Sequence, residues 1–570
     1  MYSKKPFSAL WLCLWSIVLA LGWLLPNHYL PWLAFHADAW LAISLLLAAF
    51  AVILRSRGPL FIHQMPMVAV LLICIVWLQY GFELVPQAGV AWIGSSYLFG
   101  FLLALLIGAR WETGCPGQMG DGLFLAIGIA AIASVGLQLR QWLQLDGLEL
   151  WTIDSSPWRP YANLGQPNQL GTLLLWGVLA TGWGVMRQRI GGRTALLMAS
   201  FLLFGIALTG SRSAWLAVIL LVAAAWLWRR LWSNKWLPWA MSGFGLYFVA
   251  CVVGLGWLNN FFQGVAESSL IDGVVRMSSE IRPLAWATLV DAALQKPWTG
   301  YGWGQIVMAQ MAVAEHHPHL GAIFSYSHNM FLDLMLWFGI PLGLLISAAL
   351  LQWLYKSLRA VRHEQDAILL MVLLVVGNHA MLELPLYYGY FLLPAGLVIG
   401  AINVRLGARV WFKAGYWLPI GLLSVATVLL SLIVRDYTHV EPSFRALRME
   451  GQGFQLKSSK TPPDVLLLTQ WRDYIRMARI EAKTGLSADD LQTMRNGIAL
   501  WPTVRIFHKL ATSLALNQQP VEARLWLQKM CKVVAPSDCS QVRKMWTRQA
   551  EMYPEIAAIP WPVEEASLTP

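Results

Sequence analysis

Thirteen apolar segments, each close to the length that crosses a lipid bilayer, constrain this chain of 570 residues more than any other feature. A helix needs about 20 apolar residues to span the hydrocarbon layer. Charged residues make up only 12% of the chain, whereas a soluble domain carries about 25%. The chain is therefore predicted to be an all-α, polytopic membrane protein. The segments are centred on residues 8–25, 32–54, 66–80, 92–109, 122–139, 169–186, 194–210, 213–228, 236–258, 330–354, 366–384, 386–404 and 415–434.

About thirteen transmembrane helices are predicted, and twelve is the alternative because the third segment is short. Orientation follows from basic residues, which concentrate in the loops on the inner side of the membrane. With Lys4 and Lys5 inside, every second loop is basic, while the loops between them hold almost no Lys or Arg. This pattern accounts for most of the net charge of +11 and argues against nucleic-acid binding. It places residues 259–329 and the C-terminal tail on the outer side.

Four regions follow from this pattern. Residues 1–258 form a first transmembrane bundle of nine spans, residues 259–329 a large outer loop, and residues 330–435 a second bundle of four spans. Residues 436–570 hold 17 Lys or Arg and 14 Asp or Glu and no spanning segment, which predicts a small soluble helical domain. Its helices are expected at 466–479, 488–500, 504–516 and 521–534, and residues 502–523 resemble one tetratricopeptide-type hairpin.

The outer loop contains one predicted amphipathic helix and one predicted turn. Residues 282–295 have apolar side chains at helical spacing, and we expect this helix to lie on the membrane surface. Residues 297–304 alternate Gly with aromatic residues. No strand precedes them, so a tight interfacial turn is favoured over a phosphate-binding loop.

Three ionisable residues fall at the outer membrane face: Arg212, Arg282 and His328. Arg212 stands alone between two spans, on the side where arginine is disfavoured, and a charge at that depth usually faces a cavity or a partner. A guanidinium offers a fixed fork of donors that matches phosphate oxygens. A neutral imidazole can accept a proton from a hydroxyl at physiological pH. Together they suit group transfer from a lipid phosphate donor.

Two further polar clusters lie on the same side. Residues 161–169 contain Tyr161, Gln166, Asn168 and Gln169, and their amides suit sugar hydroxyls, although an ordinary polar helix start explains them equally well. In the second cluster, spacing of four puts His379 and Glu383 on one helix face, with Tyr387 following. A buried structural pair and a binding pair both remain open there.

Histidines and cysteines leave two smaller questions. His316, His317 and His319 invite a zinc hypothesis, but only Glu315 is an obvious further ligand, so no metal is predicted. Cys531 and Cys539 share the outer tail, where an oxidising compartment allows a disulfide but the sequence does not decide it.

With these motifs in view, the chain resembles the O-antigen ligase/polymerase superfamily, and within it the bacterial pilin-type O-oligosaccharyltransferases. The resemblance covers most of residues 1–450. It depends on four motifs: Ala162–Gly171, Ser211–Trp215, Ser327–Asn329 and His379–Tyr388. Gly165 replaces an asparagine and Leu384 a tyrosine that are common in this family.

The resemblance implies an enzyme of the bacterial inner membrane with its active site facing the periplasm. Such enzymes transfer a preassembled glycan en bloc from undecaprenyl pyrophosphate to a Ser or Thr hydroxyl of a pilin-like protein, without a further cofactor. It implies His328 as the general base and Arg212 and Arg282 as the pyrophosphate clamp. Gln166, Asn168 and Gln169 would contact donor or acceptor.

Two competing functions remain. An O-antigen ligase or polymerase would use a lipopolysaccharide or glycan acceptor, against which the long outer tail argues. A transporter of lipid-linked glycan would show paired broken helices in two repeated halves, and the chain has no such repeat. The glycan, the acceptor and its modified residue, and the oligomeric state are not predicted.

Overall fold

The structure is a computed structural model that describes residues 6–55, 58–152, 159–263, 281–454 and 461–562. Part of the predicted outer loop, residues 264–280, and the basic residues Lys4 and Lys5 lie outside the described residues. Nearly all regular structure in the described part is helical, which confirms the predicted all-α class.

The predicted apolar segments are all helical. Eight helices are long and apolar enough to cross a membrane by length and composition, so the chain is a multi-pass membrane protein. The total of thirteen spans stays a prediction. The helices are α1 (Ala9–Leu24), α2 (Phe35–Arg55), α3 (Gln64–Gly81), α4 (Ala88–Gly114), α5 (Gln118–Trp142), α6 (Pro167–Met186), α7 (Gly192–Leu208), α8 (Arg212–Leu227), α9 (Leu237–Gln263), α10 (Ile281–Gln295), α11 (Ile306–Val313), α12 (Met330–Phe338), α13 (Ile340–Ala360), α14 (Glu364–Ala380), α15 (Gly389–Arg405) and α16 (Trp417–Gly451).

The tenth segment is not the single helix that its hydropathy predicted. It breaks at Gly339, which separates α12 from α13 and has a φ of 82°. A side chain at this position would collide with the carbonyl of Trp298. Ile340 N donates to the carbonyl of Pro297 at 2.7 Å, so the break holds the turn at 297–304 in place. Gly300, Gly302 and Gly304 in that turn also have positive φ, which confirms the turn.

The first of two compact units contains residues 1–73, 96–275 and 349–431. Its core is built from tightly packed helices, with α14 in contact with α6, α8 and α15. Small residues allow close approach: a Cβ at Gly171 of α6 would lie 3.2 Å from the Cβ of Ala214 of α8. Two short strands, β1 (Leu60–Ile62) and β2 (Phe412–Ala414), pair antiparallel with Leu60 opposite Ala414.

The second unit contains residues 74–95, 276–348 and 432–570. The helix predicted at 282–295 is α10, but its side chains do not all face outward as expected: Leu289 is buried and Trp286 donates to the carbonyl of Ser327 at 2.7 Å. Two hydrogen bonds join residues 319 and 320 of the loop to the C-terminal residues. Leu320 N donates to the carbonyl of Lys532 (3.1 Å), and His319 Nε2 contacts that of Val534 (2.5 Å).

The C-terminal residues form the four predicted helices within a few residues, followed by two that were not predicted. They are α17 (Thr469–Arg479), α18 (Ala488–Leu500), α19 (Val504–Leu516), α20 (Pro520–Val533), α21 (Pro536–Ala550) and α22 (Pro554–Ala557). Cys531 and Cys539 form a disulfide, so the question left open by the sequence is answered. The last spanning helix, α16, continues well past Arg435, and its buried Asp436 accepts hydrogen bonds from the backbone of residues 466–468.

Candidate active site

Three helix ends meet in the first unit and bring the predicted polar clusters together. Ser211 Oγ, just before α8, donates to Asn168 Oδ1 in the first turn of α6 at 2.7 Å. The hydroxyls of Ser211 and Ser213 lie 2.9 Å apart. Asn378 Nδ2, near the end of α14, donates to the carbonyl of Ser213 at 2.8 Å. The amide-rich cluster, the serine–arginine step and the His379 region are therefore one connected site.

Local sequence explains why the helices begin here. Gln166 is extended and Pro167 occupies the first helical position of α6, where the missing N–H of proline costs nothing. Ser211 caps α8 by accepting from Ala214 N at 3.2 Å, the usual role of serine at this position. Gly210 reverses the chain before it with a φ of 58°.

Arg212, the first residue of α8, is exposed and shares its surroundings with a second arginine. Arg159 donates through Nε to the carbonyl of Thr209 at 3.4 Å. Burial lowers the pKa of the Arg159 guanidinium, and the positive charge of Arg212 lowers it further, while the carboxylate of Glu383 opposes both effects. Two guanidiniums and one carboxylate therefore interact here, an arrangement suited to binding an anion with more than one negative charge.

The sequence analysis did not select Arg159 as a site residue. Arg159 and Arg140 are the two basic residues of the outer segment 140–168. The same argument that selected Arg212, a lone arginine where the orientation rule disfavours one, applies to Arg159 and was the available signal.

The His379–Glu383 pair is present, although α14 ends at Ala380 and only a following turn carries Glu383. Glu383 N donates to the carbonyl of His379 at 2.9 Å, which preserves the helical spacing. His379 is buried, and its Nδ1 lies 2.8 Å from Thr172 Oγ1 of α6. Among the described residues, Nε2 of the same ring has no hydrogen-bond partner. Tyr387 follows in a short 3₁₀ turn and is exposed.

The amide cluster divides into a buried and a more accessible part. Gln169 is buried, and its Oε1 accepts from the Tyr390 hydroxyl (2.6 Å) and from Gly165 N (3.1 Å). Its Nε2 has no partner within the described part of the chain. Gln166 and Tyr161 are half-buried. Gln169 thus holds the loop at Gly165, whereas Gln166 and Tyr161 retain surface that a substrate can contact.

His328 lies in the second unit, in a backbone conformation that its neighbours enforce. Its φ is 59°, a left-handed value that is uncommon for a residue other than glycine. Ser327 N donates to Asp333 Oδ1 at 2.8 Å, and Ser327 Oγ donates to the carbonyl of Asn329 at 2.9 Å. Asn329 in turn caps α12 by accepting from Phe331 N. Asp333 therefore holds the backbone immediately before His328.

Aromatic rings and the α10 helix complete the surroundings of His328. The imidazole is half-buried and packs edge-on against Tyr326, with ring centres 4.6 Å apart. The Trp286 bond to the carbonyl of Ser327 ties α10 to the residue before His328. Arg282 is half-buried in the first turn of α10, one turn before Trp286. Arg282 and His328 therefore belong to one unit and Arg212 to the other.

The histidine run at 316–319 has other partners. His317 Nε2 pairs with Asp291 Oδ2 at 3.0 Å, and His319 contacts the Val534 carbonyl. Within the ranges that the structure describes, no group of three or more His, Cys, Asp or Glu side chains is arranged to hold a metal ion. The zinc hypothesis gains no support from these contacts.

Three family models match successive parts of the chain. The model described as protein glycosylation ligase matches residues 160–183, and the model described as O-antigen ligase matches residues 195–347. The model described as the C-terminal part of a virulence factor membrane-bound polymerase matches residues 367–548. The three matched ranges contain Arg212, Arg282, His328 and the His379 cluster, and the first of them begins directly after Arg159.

Two curated relatives come from Acinetobacter baylyi. A general O-oligosaccharyltransferase is 28% identical over 536 residues, which is 91% of both chains. A ComP-specific O-oligosaccharyltransferase is 34% identical over 249 residues, which is 43% of this chain and 44% of the relative. The first alignment runs through both compact units, and the resemblance inferred from the four motifs is confirmed.

Proposed function

Because the chain belongs to the O-antigen ligase superfamily and is a glycosyltransferase of the O-oligosaccharyltransferase type, we propose that it glycosylates protein en bloc. The donor is an oligosaccharide preassembled on undecaprenyl pyrophosphate, and the acceptor is a Ser or Thr hydroxyl of a pilin-like protein. One relative is named for a single acceptor, ComP, and the other is named a general transferase.

The observation that carries this proposal is the pair of arginines where α6, α8 and α14 meet. Arg159 and Arg212 repel one another, and the carboxylate of Glu383 opposes this effect at Arg159. A pyrophosphate carries negative charge, and two guanidinium forks match its oxygens. These arginines then stabilise the charge that develops on the leaving pyrophosphate, which is the kind of preorganised electrostatic effect that usually dominates catalysis.

His328 acts as the general base in this proposal. The acceptor hydroxyl oxygen forms a bond to the anomeric carbon while the bond from that carbon to the pyrophosphate oxygen breaks. His328 takes the hydroxyl proton, and undecaprenyl pyrophosphate leaves. The left-handed backbone held by Ser327, Asn329 and Asp333 keeps the imidazole in one orientation, which reduces the entropy cost of reaching the reactive geometry. Arg282 joins the pyrophosphate clamp.

The remaining predicted residues contact the sugars or the acceptor. Buried polar atoms without partners are costly, and Nε2 of Gln169 and Nε2 of His379 are such atoms among the described residues. A hydroxyl-rich glycan supplies hydrogen bonds of the required kind. Asn168, Gln166, Tyr161, Glu383 and Tyr387 border the same region and complete the contact surface.

Periplasmic orientation in the bacterial inner membrane is part of this proposal. The alternation of basic loops places the C-terminal residues opposite the inner face. The Cys531–Cys539 disulfide supports this side, because disulfides persist in the periplasm and are rare in the cytosol.

A ligase or polymerase that uses a glycan acceptor is the second candidate, since two of the matching family models carry those descriptions. Both relatives from Acinetobacter baylyi favour transfer to a protein instead. A transporter of lipid-linked glycan is the third candidate, and it predicts that His328→Ala still lets the glycan cross the membrane.

Intact-protein mass spectrometry of a co-expressed type IV pilin, in a host that supplies lipid-linked glycan, tests the proposal. Wild type is compared with His328→Ala and with His316→Ala, a matched change at an exposed histidine. We expect a glycan-sized mass increase with wild type and His316→Ala and none with His328→Ala, while all three proteins elute as folded monodisperse species.

No mass increase with any enzyme, together with glycan on the lipopolysaccharide core, would move the assignment to the ligase. A mass increase that persists with His328→Ala would keep protein transfer and remove the general base from the mechanism.

A further inference from the structure

A cavity of about 770 Å³ lies among the C-terminal helices of the second unit. The end of α16, the second half of α17 with the residues just after it, and the start of α19 form its walls. Its volume is in the range of about 300–1,000 Å³ that is typical of ligand sites. None of the residues assigned to glycan transfer lines it, so it is a separate site.

One wall of the cavity is cationic. Four basic residues, Arg448, Arg479, Arg505 and Lys509, face two carboxylates, Glu450 and Glu481. Arg479 engages Glu450 in a two-bond pair with both distances at 3.1 Å. Within the described part of the chain, Arg448 and Arg505 have no carboxylate partner, and both are exposed.

Lys509 adds a half-buried cation to the lining of the cavity. Its ammonium donates to the carbonyl of Ala478 at 2.7 Å, which uses one of three donors. Burial and the neighbouring charge of Arg505 lower the pKa of Lys509 to about 8. Like charges held together in a partly desolvated cavity favour an anionic occupant.

The lining of the cavity also contains apolar side chains. Phe444 and Tyr474 stack with ring centres 5.7 Å apart, and Met477 and Ile506 are buried. A ligand that matches this lining carries both carboxylates and apolar groups. A neutral sugar fits poorly, because few uncharged hydrogen-bonding side chains, chiefly Gln452 and Thr503, line the cavity.

We propose that this cavity binds an extended, acidic peptide segment of the protein acceptor, with its carboxylates on Arg448, Arg505 and Lys509 and its apolar side chains against Phe444 and Tyr474. The inference rests on the proposed transfer to protein. It assigns acceptor choice to the C-terminal helices, in a place distinct from the chemistry.

The test measures peptide binding directly, with the full-length protein in lipid nanodiscs. The probe is a fluorescein-labelled, end-capped octapeptide of alternating Glu and Leu, and its control has Gln in place of every Glu. Fluorescence anisotropy gives Kd for wild type and for the double variant Arg448→Ala/Arg505→Ala. The matched control is Arg543→Ala/Lys544→Ala, at a second basic surface on α21 that has no aromatic lining.

We expect the acidic peptide to bind wild type at least tenfold more tightly than the Gln peptide. The cavity variant should lose at least tenfold in affinity and the control variant less than twofold. Equal losses in both variants would mean non-specific attraction and overturn the proposal. Displacement of the probe by low millimolar inorganic phosphate would also overturn it, in favour of a phosphate site.

The peptide-binding assay and the glycan-transfer assay test the two proposals independently of each other. His328→Ala should bind the acidic peptide as wild type does while transferring no glycan. Peptide binding in a wild-type protein that modifies no pilin would refute the proposed function and leave the cavity as a peptide site. Pilin glycosylation without cavity-dependent binding would refute only the inference about the cavity.

Discussion

The two ends of α14 carry opposite charge arrangements. At the Asp366 end, two buried carboxylates, Asp366 and Glu112, share one arginine, Arg405, at 2.5 and 2.8 Å. At the His379 end, two arginines, Arg159 and Arg212, share one carboxylate, Glu383. The ends are about 20 Å apart, at about 1.5 Å per residue.

The Asp366 end is complete by itself. Glu112 also accepts from Gly117 N and Asp366 from His363 N, so backbone donors supplement the arginine. At the His379 end, Arg159 interacts with the charges of both Arg212 and Glu383. Loss of one partner of a buried ion pair leaves an uncompensated buried charge and is strongly destabilising, whereas an ionisable residue at membrane depth usually faces a cavity or a partner. Arg405 is therefore expected to stabilise the fold, whereas Arg159 and Arg212 are expected to bind a ligand.

The largest effect is expected from Arg405→Ala, which leaves two buried carboxylates without their cation. Loss of one partner of such a pair costs about 3–5 kcal/mol. We expect a large fall in the temperature at which the detergent-solubilised protein aggregates, measured by fluorescence-detected size exclusion. Arg409→Ala, at an exposed neighbour, is the control. Equal stability of the two variants would contradict a stabilising role for Arg405.

Arg212→Ala should act on turnover and leave stability almost unchanged. Removal of one preorganised charge at a reaction centre typically costs about 10²–10³ in rate. Glycan transfer to purified pilin, followed by gel shift over time, gives the rate, and the same thermal assay gives stability. Arg193→Ala, an exposed arginine at the start of α7, should transfer normally. A destabilised Arg212→Ala protein would assign this arginine to the fold.

Arg159 was not selected from the sequence, so its variants test anion binding at the His379 end independently of Arg212. Arg159→Lys keeps the positive charge but loses the fork of donors, so we expect transfer to fall about tenfold and Arg159→Ala to fall further. The donor concentration at half-maximal rate should rise in both. Normal rates in both variants would leave Arg212 as the anion-binding arginine of this end.

The C-terminal cavity is a further cationic site, and it contains a group that titrates. Binding a carboxylate requires protonated Lys509, so acidic-peptide affinity should be highest below pH 8 and fall about fivefold between pH 7 and pH 9, a loss of about 1 kcal/mol. Lys509→Arg should abolish this fall. The other charged or titratable groups facing the site are Arg448, Arg479, Arg505, Glu450, Glu481 and Tyr474.

Burial raises the pKa of the Tyr474 hydroxyl above its usual value near 10. An affinity that falls equally in wild type and Lys509→Arg would mean that Lys509 is not the titrating group.

Chelation should have the smallest effect. If the charge at the His379 end comes from arginines and not from a metal ion, EDTA should change the transfer rate less than twofold. A large loss that zinc restores would return His316, His317 and His319 to consideration, and His317→Ala would then be the decisive variant.

Hydropathy predicted the helices because a run of about 20 apolar residues has few other structures available in a bilayer. Hydropathy averaged over a window of residues did not reveal the break at Gly339. The break depends on the positive φ of one residue and on its close approach to the carbonyl of Trp298, which is distant in sequence. α21 was missed because it is mostly polar, with only Cys539, Val542 and Trp546 buried.

The candidate site was predicted in pieces but not in its connections. Asn168, Arg212 and His379 each stood out in their own motif. The bonds that join them, such as Ser211 to Asn168 and Asn378 to Ser213, link residues that are 43 and 165 positions apart. Such pairs depend on helix packing, and a single sequence contains no direct signal for them.

The contacts between the loop before His328 and the C-terminal helices bear on when the protein becomes active during its synthesis. The Leu320 backbone N–H and the His319 imidazole bond to the carbonyls of Lys532 and Val534, more than two hundred positions later. Those carbonyls do not exist until residue 534 has been translated. A nascent or prematurely terminated chain therefore lacks the support of the loop that carries its proposed base. We expect such fragments to insert into the membrane without transferring glycan, so that activity reports on a finished molecule.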